Sequence, residues 1–134
     1  MKFGYTIIYV ASVVDSLAFY EAAFGFKTRF LHESQMYGEL ETGETALAFA
    51  SYAVGDANFD GEYIKSDIYQ KPFGIEIAFI TLTIDADFKK AIDAGAMALK
   101  SPTLKPWGQS VAYVRAPDGT LIELCTPIQP RLEV

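Results

Sequence analysis

One acidic residue stands in an otherwise apolar strand pattern near the end of the chain. The stretch PWGQSVAYVRAPDGTLIEL, residues 106–124, alternates apolar and polar residues on both sides of a Pro117-Asp118-Gly119 turn, with Glu123 between Ile122 and Leu124. Successive strand residues point to opposite faces, so the two apolar neighbours favour the core and the carboxylate favours the other face. A carboxylate in a cleft can hold a cationic ligand or act as a general base. On a solvated face, or in a structural hydrogen-bond network, it would do neither.

The same alternation predicts the rest of a cleft. Glu76 lies in the apolar stretch GIEIAFITLT, residues 74–83, and either faces the cleft or belongs to a solvated strand face. If Ala48 faces the cleft, Ala46 and Ala50 do so too, and we expect three alanines to leave a wide, empty wall. Such an apolar lining with acids and phenols suits an organic ligand with a cationic or hydrogen-bond-donating group. The predicted ligand-binding residues are Tyr5, Ile7, Ala48, Glu76, Trp107, Tyr113 and Glu123, with Glu123 and Glu76 as candidate catalytic groups.

The elements that position these residues begin with a strand and a helix. FGYTIIYVAS, residues 3–12, is rich in β-branched and aromatic residues, and apolar residues then recur at helical spacing in VVDSLAFYEAAFGF. Asp15 or Ser16 is the predicted N-cap of the helix, and Gly25 is placed to end it in a left-handed conformation. Three further strands follow, with a tight turn at residues 42–44. The first half of the chain is predicted to be βαβββ.

The second half repeats that order. Residues 74–83 predict a strand and residues 85–96 a helix that ends near Gly95, followed by strands in MALKSP, QSVAYVRA and GTLIELCTP. We therefore predict one α+β domain over residues 1–134, with module one at about 3–52, a connector at about 53–73 and module two at about 74–127. Two βαβββ modules can close around a shared cleft, which is the default place for a ligand.

The connector itself admits two interpretations. The stretch over residues 52–74 is too long for an ordinary connection and is acidic, yet it carries several aromatic residues, which is unusual for a disordered linker. It is either a lid or dimer-contact segment, or a crossover whose aromatics pack over one sheet edge. The roles of Arg29 and Arg115 also admit two interpretations, since each could contact a ligand anion or pair with an acid at the rim of the cleft. Trp107 is either a stacking platform or, as we favour, a plug at the end of its module.

The composition of the chain limits the classes of binding partner that we expect. The 134 residues carry a formal net charge of −6 and no cluster of basic residues, which argues against nucleic acid or an anionic membrane surface. No apolar run is long enough to span a bilayer and no secretory leader is recognised, so we expect a cytoplasmic protein. The single cysteine, Cys125, makes no disulfide framework and is expected to be a small apolar filler.

These modules, with SLAFYEAAFGFK, AIDAGA and YVRAPDGTLIEL, resemble the vicinal oxygen chelate superfamily, which includes glyoxalase I, extradiol dioxygenases and bleomycin-resistance proteins. The resemblance implies metal ligands on the first and last strand of each module. Glu123 matches the glutamate expected there, whereas Tyr5, Ala48 and Glu76 stand where the other three ligands would be. Without an imidazole, those four positions offer two good ligands at most.

The resemblance therefore points to the metal-free, bleomycin-resistance-like branch. It implies a small-molecule-binding protein with no cofactor, acting as a homodimer. The alternative is a glyoxalase-like lyase or isomerase that uses Glu123 or Glu76 as general base, with a weakly bound divalent metal as a further option.

Overall fold

The computed structural model describes residues 1–128 and shows an α+β fold of two four-stranded sheets with helices. Residues 129–134 of the predicted domain lie outside the described part. None of the helices within residues 1–128 has the length and apolar composition that a membrane span requires. The elements in chain order are β1 (Tyr5–Val10), α1 (Val13–Phe24), β2 (Thr28–Leu31), β3 (Tyr37–Leu40), β4 (Ala46–Ser51), α2 (Tyr52–Phe59), β5 (Glu76–Ile80), α3 (Ile84–Asp93), β6 (Met97–Leu104), β7 (Ser110–Arg115) and β8 (Leu121–Cys125).

The two sheets have the same topology, which confirms the predicted pair of βαβββ modules. Sheet A has the strand order β1-β4-β3-β2 and sheet B the order β5-β8-β7-β6. In each sheet the first and last strands of the module pair in parallel, and the other pairs are antiparallel. The first strand of each module therefore lies at a sheet edge.

Helix α1 begins earlier than predicted. Ser12 is its N-cap, and the Ser12 hydroxyl accepts a hydrogen bond from the Asp15 backbone N–H at 3.2 Å. The prediction of Asp15 or Ser16 as N-cap was wrong because Val13 and Val14 belong to the first turn despite their β-branched side chains. Gly25 ends the helix with φ 78°, the left-handed conformation expected at that position.

One buried core joins the modules. It contains residues of α1 and α3 together with inward residues of both sheets, among them Tyr20, Phe49, Val114 and Ile122, each fully buried. Phe79 of β5 contacts rings from module one, with centroid distances of 4.9 Å to Phe24 and 4.8 Å to Phe26. The two halves of the chain therefore share a single hydrophobic interior.

The connector is a packed crossover over its first half. Helix α2 was not predicted within the connector, because its residues show little amphipathic pattern. The Ser51 hydroxyl caps this helix by accepting a long hydrogen bond, 3.4 Å, from the Val54 backbone N–H. Phe59 and Tyr63 pack on Tyr9 of β1, with ring centroids 5.9 and 5.5 Å away. This packing over the β1 edge matches the crossover interpretation for those two rings. Tyr69, by contrast, is 93% exposed.

Arg115 attaches the second half of the connector to module two. Its guanidinium donates to the backbone carbonyls of Gly119 (3.0 Å), Ile68 (3.1 Å), Asp67 (2.9 Å) and Gln70 (2.6 Å), and the residue is buried. Gly119 has φ 96°, and a Cβ on it would lie 2.9 Å from the Asp67 backbone, so the turn has room only for glycine. Arg115 is therefore a structural residue, since four of the five N–H donors of its guanidinium bond to backbone carbonyls.

We expect Arg115→Met to lower the free energy of unfolding by about 3 kcal/mol, because four carbonyls lose a charged hydrogen-bond donor in a buried setting. Urea unfolding followed by circular dichroism measures the change. Lys89→Met is the control, since it removes one charge from an exposed ion pair with Asp93 and should cost about 0.5 kcal/mol. Equal losses in the two variants would contradict the structural role of Arg115.

Candidate functional site

Each sheet has one face turned away from the core, which we call its open face. On sheet B the open face carries Glu76 on β5, Glu123 on β8 and Tyr113 on β7, with Glu123 in register with Tyr113 on one side and Ala78 on the other. Ile122 and Leu124 are 0% and 2% exposed and point into the core. The alternation predicted for this strand is therefore the one observed, and Glu123 lies on the face opposite the core.

The Glu123 carboxylate accepts a hydrogen bond from a tyrosine on the neighbouring strand. The Tyr113 hydroxyl donates to Glu123 Oε1 at 2.7 Å across the β7–β8 pair. This hydrogen bond, with burial and the negative charges of Glu123 and Glu76 behind it, raises the pKa of Tyr113 to about 12. Tyr113 thus stays a donor at every physiological pH and fixes the orientation of the carboxylate.

Glu76 lies near Glu123 on the same face, and no side chain within residues 1–128 forms an ion pair with it. Glu76 is exposed, but partial desolvation by its surroundings raises its pKa, and the negative charge of Glu123 raises it further. The three ion pairs found within residues 1–128 are Arg29–Glu39, Lys65–Asp56 and Lys89–Asp93, and they involve neither carboxylate. The open face of sheet B is therefore an acidic surface with no ion-paired basic side chain among residues 1–128.

Cys125 lies two residues beyond Glu123 and is 4% exposed. Burial raises the pKa of its thiol, and the charge of Glu123 adds to the effect. The Sγ atom donates weakly to the Phe79 carbonyl at 3.7 Å. The residue is a buried, protonated thiol, as expected of an apolar filler.

The open face of sheet A is built differently. Glu39 accepts hydrogen bonds from Arg29 Nη2 at 2.9 Å and from the Tyr37 hydroxyl at 2.6 Å. Burial raises the pKa of Glu39, but these two donors outweigh it and the net shift is downward. Burial, followed by the bond to Glu39, raises the pKa of Tyr37. Arg29 therefore neutralises an acid of its own chain and is not free for a ligand.

The alanine stripe does not form an empty wall. Ala46, Ala48 and Ala50 are 0%, 0% and 2% exposed, so that expectation was wrong. Ala48 lies in register between Ile7 and Glu39, and the larger side chains of neighbouring strands close over it. Sequence reasoning missed Tyr37 and Glu39, although the alternation in YGEL, opposite the alanines, places both on this face.

Tyr5 and Ile7 are open to solvent, at 56% and 43% exposure, on the same face of sheet A. Trp107 is 60% exposed in the β6–β7 turn, where its Nε1–H donates to Gln109 Oε1 at 2.8 Å. An exposed ring in a turn does not close the end of a module, so the plug interpretation was wrong. The role of Trp107 as a stacking platform stays a prediction.

The four positions where the resemblance would place metal ligands fall into two pairs, Tyr5 with Ala48 on sheet A and Glu76 with Glu123 on sheet B. Within residues 1–128, no group of three or more histidine, cysteine, aspartate and glutamate side chains is arranged to hold a metal ion. Alanine offers no donor atom, and a phenol is a poor ligand compared with imidazole or carboxylate. This donor set does not fit a catalytic transition metal.

Residues 2–124 match the family model described as the Glyoxalase/Bleomycin resistance protein/Dioxygenase superfamily. The chain belongs to this superfamily. A search of curated proteins finds no match.

Several solved structures share the fold of this chain. A glyoxalase-related enzyme from Fulvimarina pelagi is 18% identical with a TM-score of 0.81, over 95% of this chain and 88% of that one. A superfamily enzyme from Burkholderia phytofirmans PsJN is 19% identical with a TM-score of 0.77, over 94% and 98% of the two chains. TioX from Micromonospora sp. ML1 is 15% identical with a TM-score of 0.69, over 94% and 98%. At these identities the likeness shows the fold alone.

We expect Glu76→Gln to stabilise the protein at neutral pH. The folded state raises the pKa of Glu76 above its ordinary value of 4.5, so ionisation of Glu76 costs stability as the pH rises through the raised pKa. Glutamine removes that cost, and the advantage should vanish below pH 4.5, where both states of the wild type are protonated. Thermal unfolding across pH measures the difference.

The control is Glu33→Gln, which removes a carboxylate from an exposed turn. It should leave the unfolding temperature nearly unchanged across the same pH range. A Glu76→Gln variant that is less stable than wild type at neutral pH would contradict the unneutralised acidic face.

Proposed function

We propose that this chain binds a small organic molecule with a cationic group on the open face of sheet B, without a catalytic metal. The observation that supports this most directly is the pair Glu76 and Glu123, two carboxylates on one face that no basic side chain within residues 1–128 neutralises. A bound cation would offset both the partial desolvation of the exposed Glu76 carboxylate and its repulsion by Glu123. Tyr113 presents a ring beside the same carboxylate, which suits a cation in addition.

We also propose that the protein acts as a homodimer. Apolar side chains remain open on the faces that would border the cleft, among them Tyr5, Ile7 and Ile80 at 56%, 43% and 72% exposure. A second copy would cover such a surface and bring an open face of sheet A against an open face of sheet B. Light scattering on untagged protein distinguishes this dimer from a monomer.

The rival function is that of a lyase or isomerase with Glu76 or Glu123 as general base. The raised pKa of Glu76 favours it, since a base works best when its pKa approaches the working pH. Removal of a proton beside a carbonyl also needs a donor for the developing enolate. Tyr113 already donates to Glu123, and Tyr5 lies on the other sheet. Binding is therefore better supported than catalysis.

We expect wild-type protein to bind phenethyltrimethylammonium, and Glu123→Gln to weaken that binding about tenfold, because half of the carboxylate pair loses its charge. Isothermal titration calorimetry measures the affinity, and the uncharged phenethyl alcohol serves as the matched probe. The ammonium group keeps its charge at all pH values, so a fall in affinity at acid pH reports protonation of the protein. Affinity should fall as the pH drops through the raised pKa of Glu76.

Catalysis predicts a different outcome for the same variant. A glyoxalase-type assay would then show turnover in wild type that Glu123→Gln or Glu76→Gln abolishes while binding is largely kept. Glu33→Gln controls for removal of an acid elsewhere on the surface. Equal binding of the charged and uncharged probes would contradict the proposed recognition of a cation.

We expect no saturable thermal stabilisation by Ni²⁺, Zn²⁺, Mn²⁺ or Mg²⁺ and no stoichiometric metal in elemental analysis of untagged protein. The reason is the donor set, in which only Glu76 and Glu123 can act as ligands at the four family positions. A midpoint shift that saturates at one metal per chain would overturn the metal-free part of the proposal. Glu123→Gln, which removes one of the two carboxylates, would then show whether the metal lies at these positions.

A further inference from the structure

A cavity of about 180 Å³ lies along the seam between the two sheets. The seam forms because β1 and β5 are both edge strands and do not hydrogen-bond to each other. Module one contributes Ile7 and Tyr9 to the cavity, and module two contributes Ile77 and Leu121. The connector closes another side with residues that include Tyr63.

The walls of this cavity are mostly apolar. The Tyr63 hydroxyl donates to the Tyr52 carbonyl at 3.0 Å, and the Tyr9 hydroxyl accepts from Asn58 Nδ2 at 3.2 Å. The Ser66 hydroxyl donates to the Asp118 carbonyl at 2.9 Å. These polar atoms are already bonded within the chain, so the cavity favours an uncharged ring over a polar group. A volume of about 150 Å³ lined by aliphatic and aromatic side chains suffices for benzene.

The cavity lies next to the acidic pair. Leu121 lines the cavity and is in register with Glu76 across the β5–β8 pair, so the two side chains share a face. Leu121 also shares its face with Glu123, two residues further along β8. Neighbouring strands are about 4.8 Å apart, so a group in the cavity and a group against Glu76 are separated by one short linker.

We propose that the ligand is an arylalkyl cation, with its ring in the seam cavity and its charged nitrogen against Glu76 and Glu123. This inference rests on the proposed function and narrows the ligand class. The ring and the charge are recognised by different parts of the molecule: the ring by the seam where the modules and connector meet, the charge by sheet B alone. Loss of one contribution should therefore leave the other.

The first arm of the test compares probes on the full-length wild-type protein by calorimetry. Phenethyltrimethylammonium carries both groups, tetramethylammonium the charge alone, and phenethyl alcohol the ring alone. We expect the ring to improve affinity about tenfold over tetramethylammonium, from burial of one ring in an apolar site. Equal affinities for the two ammonium ions would overturn the inference and leave the proposed function standing. No binding of any cation would overturn both.

The second arm uses Leu121→Trp, which fills the cavity from β8. Leu121 is in register with Glu76, so the test is the ratio of the two ammonium affinities measured on the same variant, and the roughly tenfold advantage of phenethyltrimethylammonium over tetramethylammonium should disappear. Leu82→Trp is the matched control, since Leu82 is 86% exposed and lines none of the cavities described for residues 1–128. Both variants are checked by thermal unfolding.

Leu121→Ala keeps the inference falsifiable if the tryptophan variant fails to fold. It enlarges the cavity, so affinity should shift towards the bulkier 2-(1-naphthyl)ethyltrimethylammonium relative to phenethyltrimethylammonium, about fivefold or more. An unchanged ratio of the two affinities, in a folded variant, would overturn the placement of the ring. A Leu121→Trp variant that folds and keeps the full advantage of the ring would do the same.

Discussion

Alternation along the strands is the constraint on which the rest of this structure depends. Alternate side chains of the inner strands enter one core with α1 and α3, so Phe49 of β4 and Ile122 of β8 are buried and their neighbours in sequence are turned the other way. The side chains that face the core must be apolar to pack there, whereas those on the other face can carry charge. A shift of one residue in β8 would place Glu123 in the core. The apolar burial that stabilises the fold therefore also determines which face is acidic.

Charge compensation separates the two open faces, which the fold otherwise makes equivalent. Sheet A holds its carboxylate, Glu39, between Arg29 and Tyr37, and the pKa of that carboxyl is lowered as a result. Sheet B holds two carboxylates with one phenol and no basic partner among the described residues, and the pKa of Glu76 is raised. The Glu39 carboxylate of sheet A is paired with a basic side chain, whereas no ion pair within residues 1–128 involves the two carboxylates of sheet B. An acidic face of this kind lowers stability unless something cationic binds to it, which is a common cost of a binding site.

The sequence predicted the elements that follow a periodic pattern, but it did not predict helix α2 or the burial of the alanine stripe. The two βαβββ modules, the Gly25 helix end and the Asp118-Gly119 turn follow from periodicity and from residues with strong local preferences. Helix α2 was missed, because a short helix with almost no amphipathic pattern gives little periodic signal and forms by packing beside β1. The alanine stripe was placed on the correct face but was wrongly expected to be open. Whether a small residue leaves space depends on the side chains of neighbouring strands, which are distant in sequence.

The sequence by itself determined the fold class, the duplication and the face on which Glu123 lies, because each of these follows from the order and period of apolar residues along one stretch of chain. The tertiary structure decided which charges remain uncompensated. Arg29 and Arg115 are both arginines in strands, yet one neutralises Glu39 and the other holds four backbone carbonyls of the connector and its neighbouring turn. Neither reaches Glu76 or Glu123. Pairing of that kind depends on which strands and loops meet in space, and local sequence carries no information about it.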